Sequence, residues 1–213
     1  TTFTEISAGG LFSLAIDNAG NLYAWGANGV GQLGDGTTVN KLVPTQIMSG
    51  TTFKAISAGI SHSLAIDVSG NLYVWGNNSK GQLGDGTTTN ISTPTQIMNG
   101  TTFTAIAAAQ NYSLAIDSNG NLYAWGENNN GELGTGDTTA YTVPTQVMAG
   151  TTFKSVVAGR GQAYNLAIDT NGNLYSWGQN TYGQLGNNST DDVNTPTQIL
   201  AGTTFEKISV GYN

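Results

Sequence analysis

The sequence predicts an all-β protein, a β-propeller of four-stranded antiparallel blades with four repeats and a partial fifth. Three observations lead there. First, the 213-residue chain repeats itself, and Thr-Thr-Phe opens five copies at Thr1, Thr51, Thr101, Thr151 and Thr203; periods of this length mark stacked supersecondary units. Second, each copy holds short runs rich in aromatic and β-branched residues, punctuated by Gly and Asn, and no stretch carries a useful helical apolar stripe. Third, one run in each copy is apolar on both faces. In Asn71–Trp75, Tyr73 and Trp75 share one face and Leu72 and Val74 the other. Such a sheet needs a neighbour on each side, which radially stacked blades supply.

The units are residues 1–50, 51–100 and 101–150, aligned without a gap. Residues 151–202 follow after a two-residue insertion near Arg160-Gly161, and residues 203–213 restart the pattern. The whole of 1–213 therefore reads as a single propeller or propeller segment. Within the second unit, Phe53–Ala58 is the first strand and Ser63–Asp67 the second, alternating large and small. Asn71–Trp75 is the third and Thr95–Met98 the fourth, opened by Pro94, where a missing N–H is tolerable. Asp67-Val68-Ser69-Gly70-Asn71 is a hairpin turn. Its Asp can accept backbone N–H bonds, and its Gly suits a positive φ. Asn99-Gly100 turns the chain into the next unit. Between Trp75 and Pro94 runs a long loop, expected to be anchored by Leu83, bent at Gly81 and Gly84, and bonded to its own backbone by Gln82. Trp25, Trp75, Trp125 and Trp177 are the structural residues, each expected between adjacent blades.

The pattern Ser-Leu-Ala-Ile-Asp-x-x-Gly-Asn-Leu-Tyr-x-Trp-Gly-x-Asn-x-x-Gly-Gln-Leu-Gly recurs at Ser13–Gly34, Ser63–Gly84, Ser113–Gly134 and Asn165–Gly186. On these residues, over nearly its whole length, the chain resembles the regulator of chromosome condensation repeat family. Departures are Glu132 for Gln, Asn165 for Ser, and Ala109 for the Gly at Gly9, Gly59 and Gly159. The family's usual His before the second strand stands only at His62; Phe12, Tyr112 and Tyr164 take its place. The resemblance implies seven-bladed rings, of which four blades cover about 200°. Three arrangements follow: a segment of a larger ring, two chains paired into one ring through exposed blade faces, or four blades closed alone. The end at Val210-Gly211-Tyr212-Asn213, where a second strand would begin, favours the first. The start at Thr1 rather than Met reads as a mature or excised piece.

Composition limits the chemistry. Six Lys and Arg against thirteen Asp and Glu, a formal net charge of -7, cannot build a strong phosphate-binding surface, so nucleic acid is not an expected partner. Without Cys, disulfides, Cys-ligated zinc and thiol catalysis are excluded. No window approaches the ~20 apolar residues of a membrane helix, and no signal peptide is evident. Few charges with much Thr, Asn and Gly resembles bacterial surface and secreted proteins, so an extracellular or cell-surface location is the compositional expectation; cytoplasm stays open. His62 is the lone histidine, with no second His or Cys beside which to hold a metal, and is expected to be structural. Asp17, Asp67, Asp117 and Asp169 recur one per unit as turn residues rather than convergent acids. Asp35-Gly36 and Asp85-Gly86 resemble oxygen-rich calcium loops, but the equivalents Thr135-Gly136 and Asn187-Asn188 break the pattern. No cofactor, metal or catalytic residue is assigned.

Function is expected in binding. In a four-stranded meander, the loops after strands two and four form one rim, and here they are monotonous. The loops after strands one and three form the other rim, and they vary. Candidate partner-binding residues are Phe12, Val30, His62, Lys80, Tyr112, Asn130, Tyr164 and Tyr182. For Phe12, His62, Tyr112 and Tyr164 a competing reading is equivalent packing sites beside the second strand. The expected role is a non-enzymatic scaffold that binds a protein through this rim. The alternatives are guanine-nucleotide exchange on a small GTPase, as the resemblance implies, or a structural repeat module of a bacterial surface or appendage protein.

Overall fold

A computed structural model describes residues 2–211 as sixteen strands and no helix. Blade 1 contains β1 (Phe3–Ala8), β2 (Phe12–Asp17), β3 (Leu22–Gly26) and β4 (Lys41–Ile47). Blade 2 contains β5 (Phe53–Ala58), β6 (His62–Asp67), β7 (Leu72–Gly76) and β8 (Ile91–Ile97). Blade 3 contains β9 (Phe103–Ala108), β10 (Tyr112–Asp117), β11 (Leu122–Gly126) and β12 (Tyr141–Val147). Blade 4 contains β13 (Phe153–Ala158), β14 (Tyr164–Asp169), β15 (Leu174–Gly178) and β16 (Val193–Ile199). Each blade is an antiparallel meander in sequence order. First strands of successive blades touch one another and line the axis, and fourth strands lie outermost.

Hairpins between second and third strands form as their composition requires. In blade 2, Asp67 Oδ1 accepts the Asn71 amide at 2.8 Å, and Oδ2 accepts Asn71 Nδ2 at 2.7 Å. Gly70 takes φ 93°, where a side chain would be strained. Its carbonyl then accepts the amide of Phe103 at 2.8 Å, so the turn of one blade fixes the entry of the next. Phe53 on Gly20, Phe153 on Gly120 and Phe205 on Gly172 repeat the bond.

The apolar core lies between blades rather than within one. Phe12, Leu14, Leu22, Ala24 and Leu33 of blade 1 pack against Phe53, Ile56, Ala65 and Trp75 of blade 2. Equivalent clusters join blades 2 and 3 and blades 3 and 4. Trp75, Trp125 and Trp177 are fully buried there. Each indole donates to the backbone carbonyl of the preceding blade's long loop: Trp75 to Gln32 at 2.9 Å, Trp125 to Gln82 at 2.8 Å and Trp177 to Glu132 at 2.9 Å. Close approach demands glycine opposite: a Cβ on Gly84 would lie 2.7 Å from Trp125 Nε1.

One expectation is corrected. The fourth strand is longer than predicted, and Pro94 lies inside β8 instead of opening it. The ladder skips between Val74 and Gly76, so Pro94 falls in a bulge of an outer edge strand, where its missing N–H costs no bond. Of the three arrangements, closure of four blades alone finds no support among the described residues. Apolar clusters join blades 1 and 2, 2 and 3, and 3 and 4, and none joins 4 to 1. Trp25 stays half-buried, although Arg160 reaches Ala8 and Ser7 of blade 1. Phe205 docks on the Gly172 carbonyl, and Ile208–Gly211 then help line an axial cavity of about 390 Å³ together with Ile106 and Val156. Tyr212 and Asn213, on which the reading of the chain end rested, lie outside the described residues.

Candidate functional rim

The residues that open β2, β6 and β10 face the next blade. Phe12 is 4% exposed, His62 0% and Tyr112 1%. His62 Nε2 lies 2.9 Å from Ser113 Oγ, and Ser113 directs its own hydrogen at the Gln82 carbonyl, 2.8 Å away. His62 is thereby fixed as the Nε2–H tautomer, which leaves Nδ1 without a partner among the described residues. Burial and then the Arg160 charge push its pKa down to about 3, so it is neutral. Tyr112 Oη donates to Asn165 Oδ1 at 2.9 Å, while Asn165 Nδ2 donates to the Glu132 carbonyl at 2.8 Å. Asn165 thus does the work of Ser63 and Ser113 and also receives the tyrosine, which accounts for that departure from the repeat. Phe12, His62 and Tyr112 are interblade packing residues that no partner can reach, a correction to the candidate rim. Tyr164, which no further blade covers among the described residues, stays half-exposed.

The remaining candidates sit in the long loops after the third strands. Asn78 is fully buried at the heart of its loop. Its Oδ1 accepts Leu83 N at 2.9 Å, and its Nδ2 reaches Asp85 Oδ1 at 3.0 Å and the Thr87 carbonyl at 3.1 Å. Asn28, Asn128 and Asn180 repeat this role. These hubs were legible as the invariant Asn of the internal repeat, but pattern alone gave them no task. Gln82 Oε1 accepts Lys80 N at 2.8 Å, the loop bond expected of it. Glu132 repeats that bond to Asn130 at 2.7 Å, with burial pushing its carboxyl up. Rigid loops hold Lys80 and Tyr182 exposed and Val30 and Asn130 half-buried. Lys80 reaches Glu127 of the next blade at 3.3 Å. Tyr182 is 82% exposed, beside Gln162, Tyr164 and Gln184.

Asp35 and Asp85 spend their carboxylates on the loop itself. Asp35 meets Thr37, Asn28 and Lys41, the last at 2.8 Å. Burial raises its pKa, but these partners together hold it down to about 2. Asp85 meets Asn78 and Thr87. Among the described residues no group of three potential metal ligands converges, and no helix is long and apolar enough to cross a membrane.

This rim also carries an apolar patch on blade 1. Leu11, Val39, Leu42 and Val43 of blade 1 are exposed, Leu42 by 95%. Phe12 and Lys41 both lie opposite Gly26 in the sheet, so Leu11 and Leu42 stand at the same end of the blade. The signal was present: Leu42 aligns with Ser92, Thr142 and Asn194. The long loops present Asp35, Asp85, Glu127, Asp137, Asp191 and Asp192 against Lys80, with Lys41 at an edge and Arg160 in a loop after a first strand; Glu132 is buried. The rim is acidic with apolar points.

A rigid arc of stacked antiparallel sheets, with one rim of repeated turns and one of variable loops, defines a propeller-type repeat protein. The chain belongs to the regulator of chromosome condensation (RCC1) repeat family, whose signature matches residues 19–66, 69–116, 119–164 and 171–213. A second signature of the same repeat matches 3–32, 53–82, 103–132 and 153–184. An RCC1 domain-containing protein of Dictyostelium discoideum is 54% identical over 35 residues, 16% of this chain and 7% of that protein. Among solved structures, yeast Prp20p, described with its binding properties toward Gsp1p and histones, superposes with TM-score 0.78 at 28% identity, covering 92% of this chain and 50% of its own. Human WBSCR16 gives TM-score 0.81 at 21% identity, covering 92% and 52%. The chain therefore spans about half the length of these structures.

Proposed function

We propose that this chain is a non-enzymatic scaffold whose variable rim binds a protein carrying basic side chains around an apolar anchor. One observation carries the reading: exposed Leu11, Val39, Leu42, Val43 and Tyr182 stand on the rim whose loops are acidic. Apolar and aromatic anchors supply most of the energy of a protein interface, and complementary charge steers approach. Prp20p, with its binding toward Gsp1p and histones, supports protein partners for this architecture. A test is biolayer interferometry of the chain against purified histones and Gsp1p. Tyr182→Ala with Leu42→Ser, the residue found at Ser92, should weaken binding at least about tenfold without lowering Tm. Binding that resists both substitutions, or that fails only as the fold melts, refutes the rim. The rival reading, nucleotide exchange, predicts accelerated nucleotide release from Gsp1p in the same preparation.

A further inference from the structure

The chain contains five Asn-Gly steps, beginning at Asn28, Asn99, Asn119, Asn130 and Asn171. Such a step can modify itself without an enzyme. The glycine amide nitrogen, once deprotonated, attacks the asparagine Cγ. A C–N bond forms, the side-chain nitrogen leaves as ammonia, and a cyclic imide results. Water then opens the ring at either carbonyl, giving aspartate or isoaspartate. The reaction needs an accessible side-chain amide, a glycine N–H not held in a hydrogen bond, and room for the backbone to turn.

The fold withholds one or more of these at four steps. Asn28 is fully buried, with Oδ1 on Leu33 N at 3.0 Å and Nδ2 on Asp35 at 3.0 Å. Asn119 and Asn171 are exposed, but Gly120 N donates to the Asp117 carbonyl at 3.0 Å and Gly172 N to the Asp169 carbonyl at 3.1 Å. Asn130 is half-buried, and its glycine is wedged against the next blade, where a Cβ on Gly131 would lie 2.6 Å from Asn194 Cα.

Asn99 meets all three requirements. Asn99 and Gly100 are both exposed at the turn joining β8 to β9. The turn is closed by Thr101 N on the Met98 carbonyl at 3.0 Å, and no hydrogen bond from the Gly100 amide exists among the described residues. Nothing stands within 4 Å of the position a Gly100 Cβ would take. Equivalent turns carry Ser49-Gly50, Ala149-Gly150 and Ala201-Gly202, so the reactive pair occurs there once. We propose that Asn99 is a selective self-modification site, converting to aspartate and isoaspartate in the folded protein while the other four Asn-Gly steps are protected. The product adds a negative charge to the monotonous rim and, as isoaspartate, one extra backbone carbon to the link between blades 2 and 3.

The experiment is ageing of the native chain at mildly alkaline pH, followed by peptide mapping with mass spectrometry that separates isoaspartate from aspartate. Asn99 should convert about five to ten times faster than Asn119 or Asn171, the protection one backbone hydrogen bond gives their glycine amides. In strong urea the five steps should react at comparable rates, because the selectivity resides in the fold. Asn99→Ala, the residue found at Ala149 and Ala201, should remove the fast phase and leave the others unchanged. Native rates at Asn119 or Asn171 equal to that at Asn99, or a preference for Asn99 that persists in urea, overturn the proposal.

Discussion

His62 offers a quantitative test of how tightly the blades are packed. The ring is fully buried, its Nδ1 has no partner among the described residues, and burial with the nearby Arg160 charge lowers its pKa from 6.5 to about 3. The unfolded chain takes up a proton near pH 6.5 that the folded chain refuses. A basic group whose folded pKa is depressed contributes its full stability above the unfolded value and loses it as pH falls towards the folded one. Between pH 7 and pH 5 that loss is about 2 kcal/mol, or about 4–8 °C in Tm for a chain of this size. Asp17, Asp35, Asp137 and Asp169, held below 3.8, lose their contributions only at lower pH. Glu5 and Glu132, raised by burial, act in the opposite direction within the window. All of them remain in His62→Phe, which reproduces beside Ser113 the Phe12–Ser63 pair of the first interface. Thermal melts of both proteins from pH 5 to 7.5 should show the wild type losing about 4–8 °C more than the variant. Parallel curves would refute the claim that His62 is buried without charge.

The tryptophans should not be equivalent. Trp125→Ala removes a fully buried ring and its bond to Gln82 and should cost about 3–5 kcal/mol in urea unfolding, whereas half-buried Trp25 should cost no more than about half of that; equal losses would contradict interblade burial as the source. Asp117→Ala strips the acceptors of Asn119 N, Asn121 N and Asn121 Nδ2, bonded at 2.9, 2.8 and 2.8 Å. Its unfolding free energy should fall by about 1–3 kcal/mol, and a change below about 0.5 kcal/mol would mean the turn holds without its carboxylate.

Most of the architecture was legible because a propeller blade is a local object. Strand periodicity, Asp-x-x-Gly-Asn turns and the Trp of each repeat are short-range chemistry, and repetition multiplied the signal. The rim was less legible. Loop position alone made Phe12, His62 and Tyr112 surface candidates, because the sequence shows neighbours along the chain and not the blade that covers them. Leu42 was the converse: an apolar residue at a position polar in the three other repeats, whose 95% exposure only the packed sheet displays.

By itself the sequence determined the repeat, the meander within each blade and the need for apolar neighbours on both faces, since these follow from side-chain periodicity and turn chemistry. Tertiary structure decided the rest. The acceptors of the indoles are backbone carbonyls of Gln32, Gln82 and Glu132, and carbonyls carry no residue identity. Pairs such as His62 with Ser113 and Tyr112 with Asn165 arise only when one blade is laid on the next. The sum of those contacts, and not any single repeat, sets which side chains meet solvent.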